Sequence, residues 1–182
     1  LVIAVGVRPN TSLVKDAGGE VRRGIAADDT GKTTLPDVYA AGDCAESFDI
    51  SAGVNRVLAL LPNAYMQGNT AGINMAGGKA SFDQAIPMNA IGFMGLHIIT
   101  AGTYDGETYV HRDGENYKIL FYKEDVLKGY ILIGDVARAG IYTALIRNRT
   151  PLSSIDFKLI CEKPQLMAFT ARTRRDLLSK QQ

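Results

Sequence analysis

Thr33-Thr34-Leu35-Pro36-Asp37-Val38-Tyr39-Ala40-Ala41-Gly42-Asp43-Cys44-Ala45-Glu46 is the stretch on which the reading of this chain turns. Val38 to Ala41 is a short apolar run of the kind that forms a strand, and Gly42-Asp43 stops it where a strand becomes a turn. Glycine there lets the backbone come close to a ligand, because no side chain stands in the way. Taken alone, Asp43 reads as a turn or cap residue.

Upstream, Leu1-Val2-Ile3-Ala4-Val5-Gly6-Val7 is a continuous apolar run that predicts a buried strand closed by Arg8-Pro9-Asn10. It opens the chain mid-strand, without a Met or a signal-peptide pattern. Thr11 or Ser12 then caps a short helix over Leu13, Val14 and Ala17 that Gly18-Gly19 ends. Asp28-Asp29-Thr30-Gly31-Lys32 carries the chemistry of a tight turn between short strands near 24–27 and 33–34. Downstream, after a loop, Pro62 opens a helix from Asn63 to about Met75, with Gly77-Gly78 beyond its end. Gly68 and Gly72 inside it cost roughly 1 kcal/mol each relative to Ala, which predicts close approach by another backbone.

From about Ile86 the texture changes to β-rich segments over 88–103, 108–112, 117–123 and 126–133, separated by turns at Asp105-Gly106, Asp113-Gly114 and Glu124-Asp125. Asp135 then reads as the cap of a helix running to about Asn148. The expected fold class is α+β, with domains over 1–85 and 86–182.

Composition narrows the function classes. The 182 residues are 46% hydrophobic and 21% charged, with a net charge of +1, 2 Cys and no Trp, so collagen-like, disulfide-stapled and disordered chains are excluded. Near-zero charge gives no electrostatic reason for nucleic acid or a membrane surface, and no apolar run approaches the roughly 20 residues that span a bilayer. Cys44 and Cys161 form neither a redox nor a zinc spacing and read as free thiols of a reducing compartment, which makes cytoplasm the expected location.

Three places carry a resemblance. Val5-Gly6-Val7-Arg8-Pro9-Asn10 resembles the strand and turn leading out of the nicotinamide-nucleotide domain in the pyridine nucleotide-disulfide oxidoreductases. The stretch over 33–46 resembles that family's second flavin fingerprint. Leu61-Pro62-Asn63-Ala64-Tyr65-Met66-Gln67-Gly68-Asn69-Thr70-Ala71-Gly72-Ile73-Asn74-Met75-Ala76-Gly77-Gly78 is similar to the helix facing the flavin in the rubredoxin-reductase, NADH-oxidase and nitrite-reductase-like branch. The resemblance implies that 1–85 is the second, incomplete part of an FAD-binding α/β domain. It implies that 86–182 is an antiparallel-sheet-plus-helices interface domain through which such enzymes form homodimers.

The same resemblance implies an FAD-dependent oxidoreductase that takes electrons from NAD(P)H and passes them to an acceptor such as a small redox protein. The cofactor-binding residues it implies are Gly42, Asp43 and Ala45, with Asp43 accepting from ribityl hydroxyls and Ala45 near the phosphate end. To these it adds Leu61, Pro62, Asn63 and Ala64, a helix N-terminus aimed at the flavin ring whose N–H groups and dipole stabilise negative charge. Pro62 itself donates nothing. The plainer alternative for 61–64 is an ordinary helix start.

No residue is nominated as catalytic or as a metal ligand. Cys44 reads as a packing residue, since a single thiol cannot run dithiol exchange. His97 and His111 have no carboxylate or Cys neighbours at ligand spacing. Arg172-Thr173-Arg174-Arg175 reads as the solvated face of a terminal helix. The last six residues lack an aromatic, proline-rich tail, which counts against disulfide-reductase and oxidase types. The family's two Gly-x-Gly-x-x-Gly units are not in this sequence. The expectation is therefore a C-terminal fragment, inactive alone, that binds FAD weakly or not at all. The alternative is a non-enzymatic dimerisation module with a vestigial flavin surface.

Overall fold

The computed structural model describes residues 1–179, with side chains described to Arg175. The tail lacking aromatics and proline thus lies outside the residues whose side chains are described. The chain divides into two compact units, Leu1–Ile86 and the residues from Pro87 on.

In the first unit, α1 (Ser12–Asp16) follows a turn in which the amide and hydroxyl of Ser12 donate to Asn10 Oδ1. The extended pieces around it are single bridges: Ile25 with Ala45, Ala27 with Thr33 and Lys32 with Tyr39. A hairpin of β1 (Glu46–Asp49) and β2 (Val54–Val57) precedes the one long helix, α2 (Leu61–Met75). Buried polar groups organise the unit. Glu46 Oε1 accepts from the amides of Arg23 and Gly24. Asp49, wholly buried, takes the Ser51 amide and hydroxyl on one oxygen and the Arg56 guanidinium on the other.

Several expectations are corrected here. Leu1 to Val7 is not a strand; Leu1, Val2 and Val5 are each at least nine-tenths exposed. A buried parallel strand needs neighbours on both edges, and no described strand pairs with this run. Val38 to Ala41 makes one bridge rather than a strand. The loop expected after Gly42 contains the β1–β2 hairpin. Gly68 and Gly72 do not meet another backbone: a Cβ at either would find nothing within 4 Å.

The second unit is built on a five-stranded antiparallel sheet of order β3-β4-β7-β6-β5: β3 (Met88–Phe93), β4 (Leu96–Gly102), β5 (Glu107–Asp113), β6 (Asn116–Lys123) and β7 (Val126–Ile133). The segment expected over 88–103 is a hairpin, because Met94 and Gly95 both take left-handed φ and turn the chain. β6 and β7 bury Leu120, Leu127, Tyr130 and Leu132 in the core, with a register shift at Phe121/Tyr122 interrupting the alternation. There they join Tyr142, Leu145 and Ile146 of α3 (Ala139–Arg147), with the rings of Tyr130 and Tyr142 5.5 Å apart. The helix starts three residues later than expected, with Arg138 rather than Asp135 at the cap position. Asp135 accepts from the Ala137 amide in a local turn, and left-handed Arg138 (φ 62°) delays helical geometry. Beyond it lie α4 (Phe157–Glu162), capped by Asp156, and α5 (Ala171–Ser179). In α5 Arg174 donates to Phe169 O and Arg175 to Ala171 O. None of the described helices is long and apolar enough to cross a membrane.

Candidate functional site

Gly42 opens a single 3-10 turn, Gly42–Cys44, with a left-handed φ of 81° that favours glycine. Its amide donates to Gln67 Oε1 at 2.6 Å, so the second turn of α2 holds the turn in place. A Cβ on Gly42 would touch the Cβ of Ala64 at 3.5 Å, which puts the glycine against the first turn of that helix. The structure thus brings Gly42 and the N-terminal turn of α2 together. The next residue, Asp43, is exposed, and no described group bonds its carboxylate.

The N-terminus of α2 is open. Leu60 precedes it in extended geometry without a side-chain cap, and a proline stands in the first turn. Ala64 is the first residue whose amide finds an acceptor, Leu60 O at 3.0 Å, so of the three expected donors Leu61 and Asn63 remain. Leu61 and Pro62 are exposed, Ala64 half-buried and Asn63 wholly buried. Asn63 Nδ2 donates to Ile86 O at 3.0 Å, while its buried Oδ1 has no partner among the described residues. Ala45 lies deeper: it is 1% exposed and its amide is spent on Gly42 O.

Gln67 is the functional residue that sequence reasoning missed. A signal for it exists, since Asn63, Gln67, Thr70 and Asn74 recur at helical spacing. The first three are buried. The fourth, Asn74, bonds Thr30 O and both backbone polar groups of Ala80. Each of Asn63, Gln67 and Asn74 fastens α2 to a loop.

The two thiols differ. Cys44 is half-buried, with its Sγ 3.5 Å from Ala41 O. Cys161 is buried, and burial raises its pKa from 9.0 to about 11, with Lys118 opposing. Neither has a second cysteine as partner.

An exposed carboxylate beside a left-handed glycine, set against an uncapped helix start, defines a site suited to a polar ligand with hydroxyls and an electron-rich edge. A family profile described as pyridine nucleotide-disulphide oxidoreductase matches residues 1–68, and one described as rubredoxin NAD+ reductase C-terminal domain matches 87–150. The chain belongs to the pyridine nucleotide-disulphide oxidoreductase family, a family of enzymes.

NADH-rubredoxin oxidoreductase of Clostridium acetobutylicum is 30% identical over 141 residues, 75% of this chain and 36% of its own length. Its crystal structure superposes with a TM-score of 0.62, covering 80% of this chain and 38% of that one, at 31% identity. The epsilon subunit of NADH-dependent phenylglyoxylate dehydrogenase of Aromatoleum evansii is 31% identical over 169 residues, 88% of this chain and 40% of its own. A FAD-dependent pyridine nucleotide-disulphide oxidoreductase of Desulfovibrio vulgaris shares the fold at 23% identity (TM-score 0.76; 96% of this chain, 48% of that one). This chain spans two fifths or less of the length of the two curated relatives.

Proposed function

We propose that residues 1–85 form the second part of an FAD-binding domain and 86–182 the interface domain of an oxidoreductase. The enzyme would take electrons from NAD(P)H and pass them to a small redox protein, working as a cytoplasmic homodimer. The observation that carries the reading is the docking of Gly42 on the first turn of α2 through the Gln67 bond, which sets Asp43 beside an open helix start.

The residues present fit the flavin and ribityl end of the cofactor. Free amides at Leu61 and Asn63 donate, an unpaired carboxylate at Asp43 accepts, and the buried Asn63 Oδ1 has no partner among the described residues. When bound, FAD supplies the ring that accepts hydride and releases electrons. Gly42 keeps the ligand's approach clear. Asp43 orients hydroxyls by accepting their hydrogen bonds. The amides at the start of α2, reinforced by the helix dipole, stabilise negative charge on the ring edge they face. Leu61 and Pro62 give that edge an apolar wall, and Ala64 keeps Gly42 seated. Ala45, its amide spent on Gly42 O, fixes the turn from below. The acceptor follows the description of the profile matched by 87–150.

Amide shift mapping during FAD titration tests the site even when affinity is low. Shifts concentrated at Gly42, Asp43, Ala45, Leu61, Asn63 and Ala64, and diminished in Asp43→Ala, are expected. Shifts elsewhere, or none at saturating FAD, would refute the assignment. Light scattering tests the homodimer, and a monomer at all concentrations would remove it.

A further inference from the structure

We propose that the cavity between β6, the start of α3 and the end of α4 is a binding site for a small oxyanion, a phosphate or a short carboxylate. The cavity measures about 250 Å³ and is lined by Lys118, Asp135, Arg138, Tyr142, Glu162 and Lys163, among others. That volume lies below the roughly 300–1,000 Å³ typical of sites for drug-sized ligands. It admits inorganic phosphate or a short dicarboxylate.

Three basic residues line this space, and the charged groups of two are held in position. Lys118 Nζ donates to Cys161 O at 2.9 Å and Glu162 O at 3.1 Å, leaving one N–H unspent. Arg138 Nη1 donates to Pro164 O at 3.0 Å, leaving the rest of its fork available. Tyr142, wholly buried, is fixed by its hydroxyl donating to Ile160 O at 2.9 Å. Lys118 of β6, Arg138 at the cap of α3 and Tyr142 within it thus clasp the carbonyls of Ile160, Cys161, Glu162 and Pro164 beside the cavity that all three line. Preorganised donors of this kind bind an anion without first losing side-chain freedom.

The charges have not been spent on one another. No ion pair among the described residues joins Lys118, Arg138 or Lys163 to Asp135 or Glu162. One oxygen of Asp135 is occupied by the Ala137 amide. Three positive groups against two negative ones leave a net positive lining, which suits a singly or doubly charged oxyanion and disfavours a polyanion. Burial lowers the pKa of Lys118, a cost that a bound anion would offset. Glu162, Lys163 and Pro164 lie beyond the stretch matched by either family profile, so one wall of the cavity is not supplied by the matched region. The proposal is independent of the flavin reading and uses none of its residues.

Amide shift mapping and calorimetry with inorganic phosphate, and separately with succinate, test it at constant ionic strength set by chloride. Saturable shifts at 135–139 and 162–163 are expected for at least one of the two, and which one responds identifies the source. Arg138→Gln and Lys163→Gln should each weaken binding about tenfold, or ~1.4 kcal/mol. Lys15→Gln, on α1 of the other unit, should leave it unchanged. Because Lys118→Gln removes two structural bonds, the Arg138 and Lys163 variants, checked for an unchanged melt, carry the decision. Absence of saturable shifts up to about 10 mM of either anion, or unaltered binding in both variants, overturns the site.

Discussion

The two units hold themselves together by different physics. The second closes a five-stranded sheet over an apolar core in which Leu120, Tyr142 and Ile160 are completely buried. The first has two paired strands, isolated bridges, the short α1 and one long helix, α2, and fastens them with buried side-chain polar groups: Glu46, Asp49, Asn63 and Gln67. An apolar core tolerates small shifts because dispersion and hydrophobic terms are non-directional, whereas a polar clasp must be complete to be worth its desolvation. The first unit should therefore be the one that fails through single hydrogen bonds.

The largest effects test this contrast directly. Tyr142→Ala removes a wholly buried ring and the Ile160 bond, and should destabilise the second unit by about 3–5 kcal/mol. Hydrogen exchange should then speed in β6 and β7 while α2 keeps its protection. Asp49→Ala should do the converse. It strands the Arg56 guanidinium, whose side chain is 38% exposed, and removes the two bonds that Asp49 accepts from Ser51, so that roughly 2–3 kcal/mol is lost from the first unit. If either variant accelerates exchange equally in both units, the distinction between them collapses. Asn74→Ala loses three hydrogen bonds to Thr30 and Ala80 and should cost roughly 1–2 kcal/mol, read as a lower melting midpoint.

How much was legible beforehand follows the same division. β7 is read over 126–133 and observed there, because a run of apolar and β-branched residues bounded by the Glu124-Asp125 turn reads as a strand even though its burial departs from period two at Gly129-Tyr130. The β1–β2 hairpin escaped because Glu46 and Asp49 are charged yet buried, which inverts the pattern that a strand reading uses. Asp135 looked like a helix cap but bonds the amide two residues on, a choice made by left-handed Gly134 and Arg138. Leu1 to Val7 has the composition of a buried strand, but burial needs partners and composition cannot supply them. At the candidate site, the turn at Gly42-Asp43 and the helix opened by Pro62 are readable from the residues, but their joining in one cofactor site comes only from the family resemblance. Gln67, the side chain that joins them, shows its role only in the folded chain, where it meets the Gly42 amide.

The cysteines sharpen the contrast at alkaline pH. Cys161 keeps its proton to about pH 11 where a free thiol loses it near 9.0. Below 9.0 both states of the protein hold this proton. Between 9.0 and about 11 unfolding releases it, so the second unit loses stability as pH rises through that window. The slope of the melting midpoint against pH should flatten in Cys161→Ala, and a thiol reagent on the native protein should modify half-buried Cys44 first. Equal rates at both cysteines would show that α4 does not shield Cys161.

The smallest effect bears on the exposed face of α2. Gly68 and Gly72 lie inside the helix and cost it backbone entropy, yet a methyl group at either would meet no atom within 4 Å. In this chain Gly68→Ala and Gly72→Ala should each stabilise by roughly 0.5–1 kcal/mol, seen as a small rise in the melting midpoint. Gly78→Ala separates propensity from packing, since its Cβ would press within 2.7 Å of the Ile73 side chain and 2.9 Å of its carbonyl. That variant should not stabilise. A fall in stability for Gly68→Ala or Gly72→Ala would mean that their face of α2 is covered in solution, and that the first unit depends on packing as well as on its polar clasps.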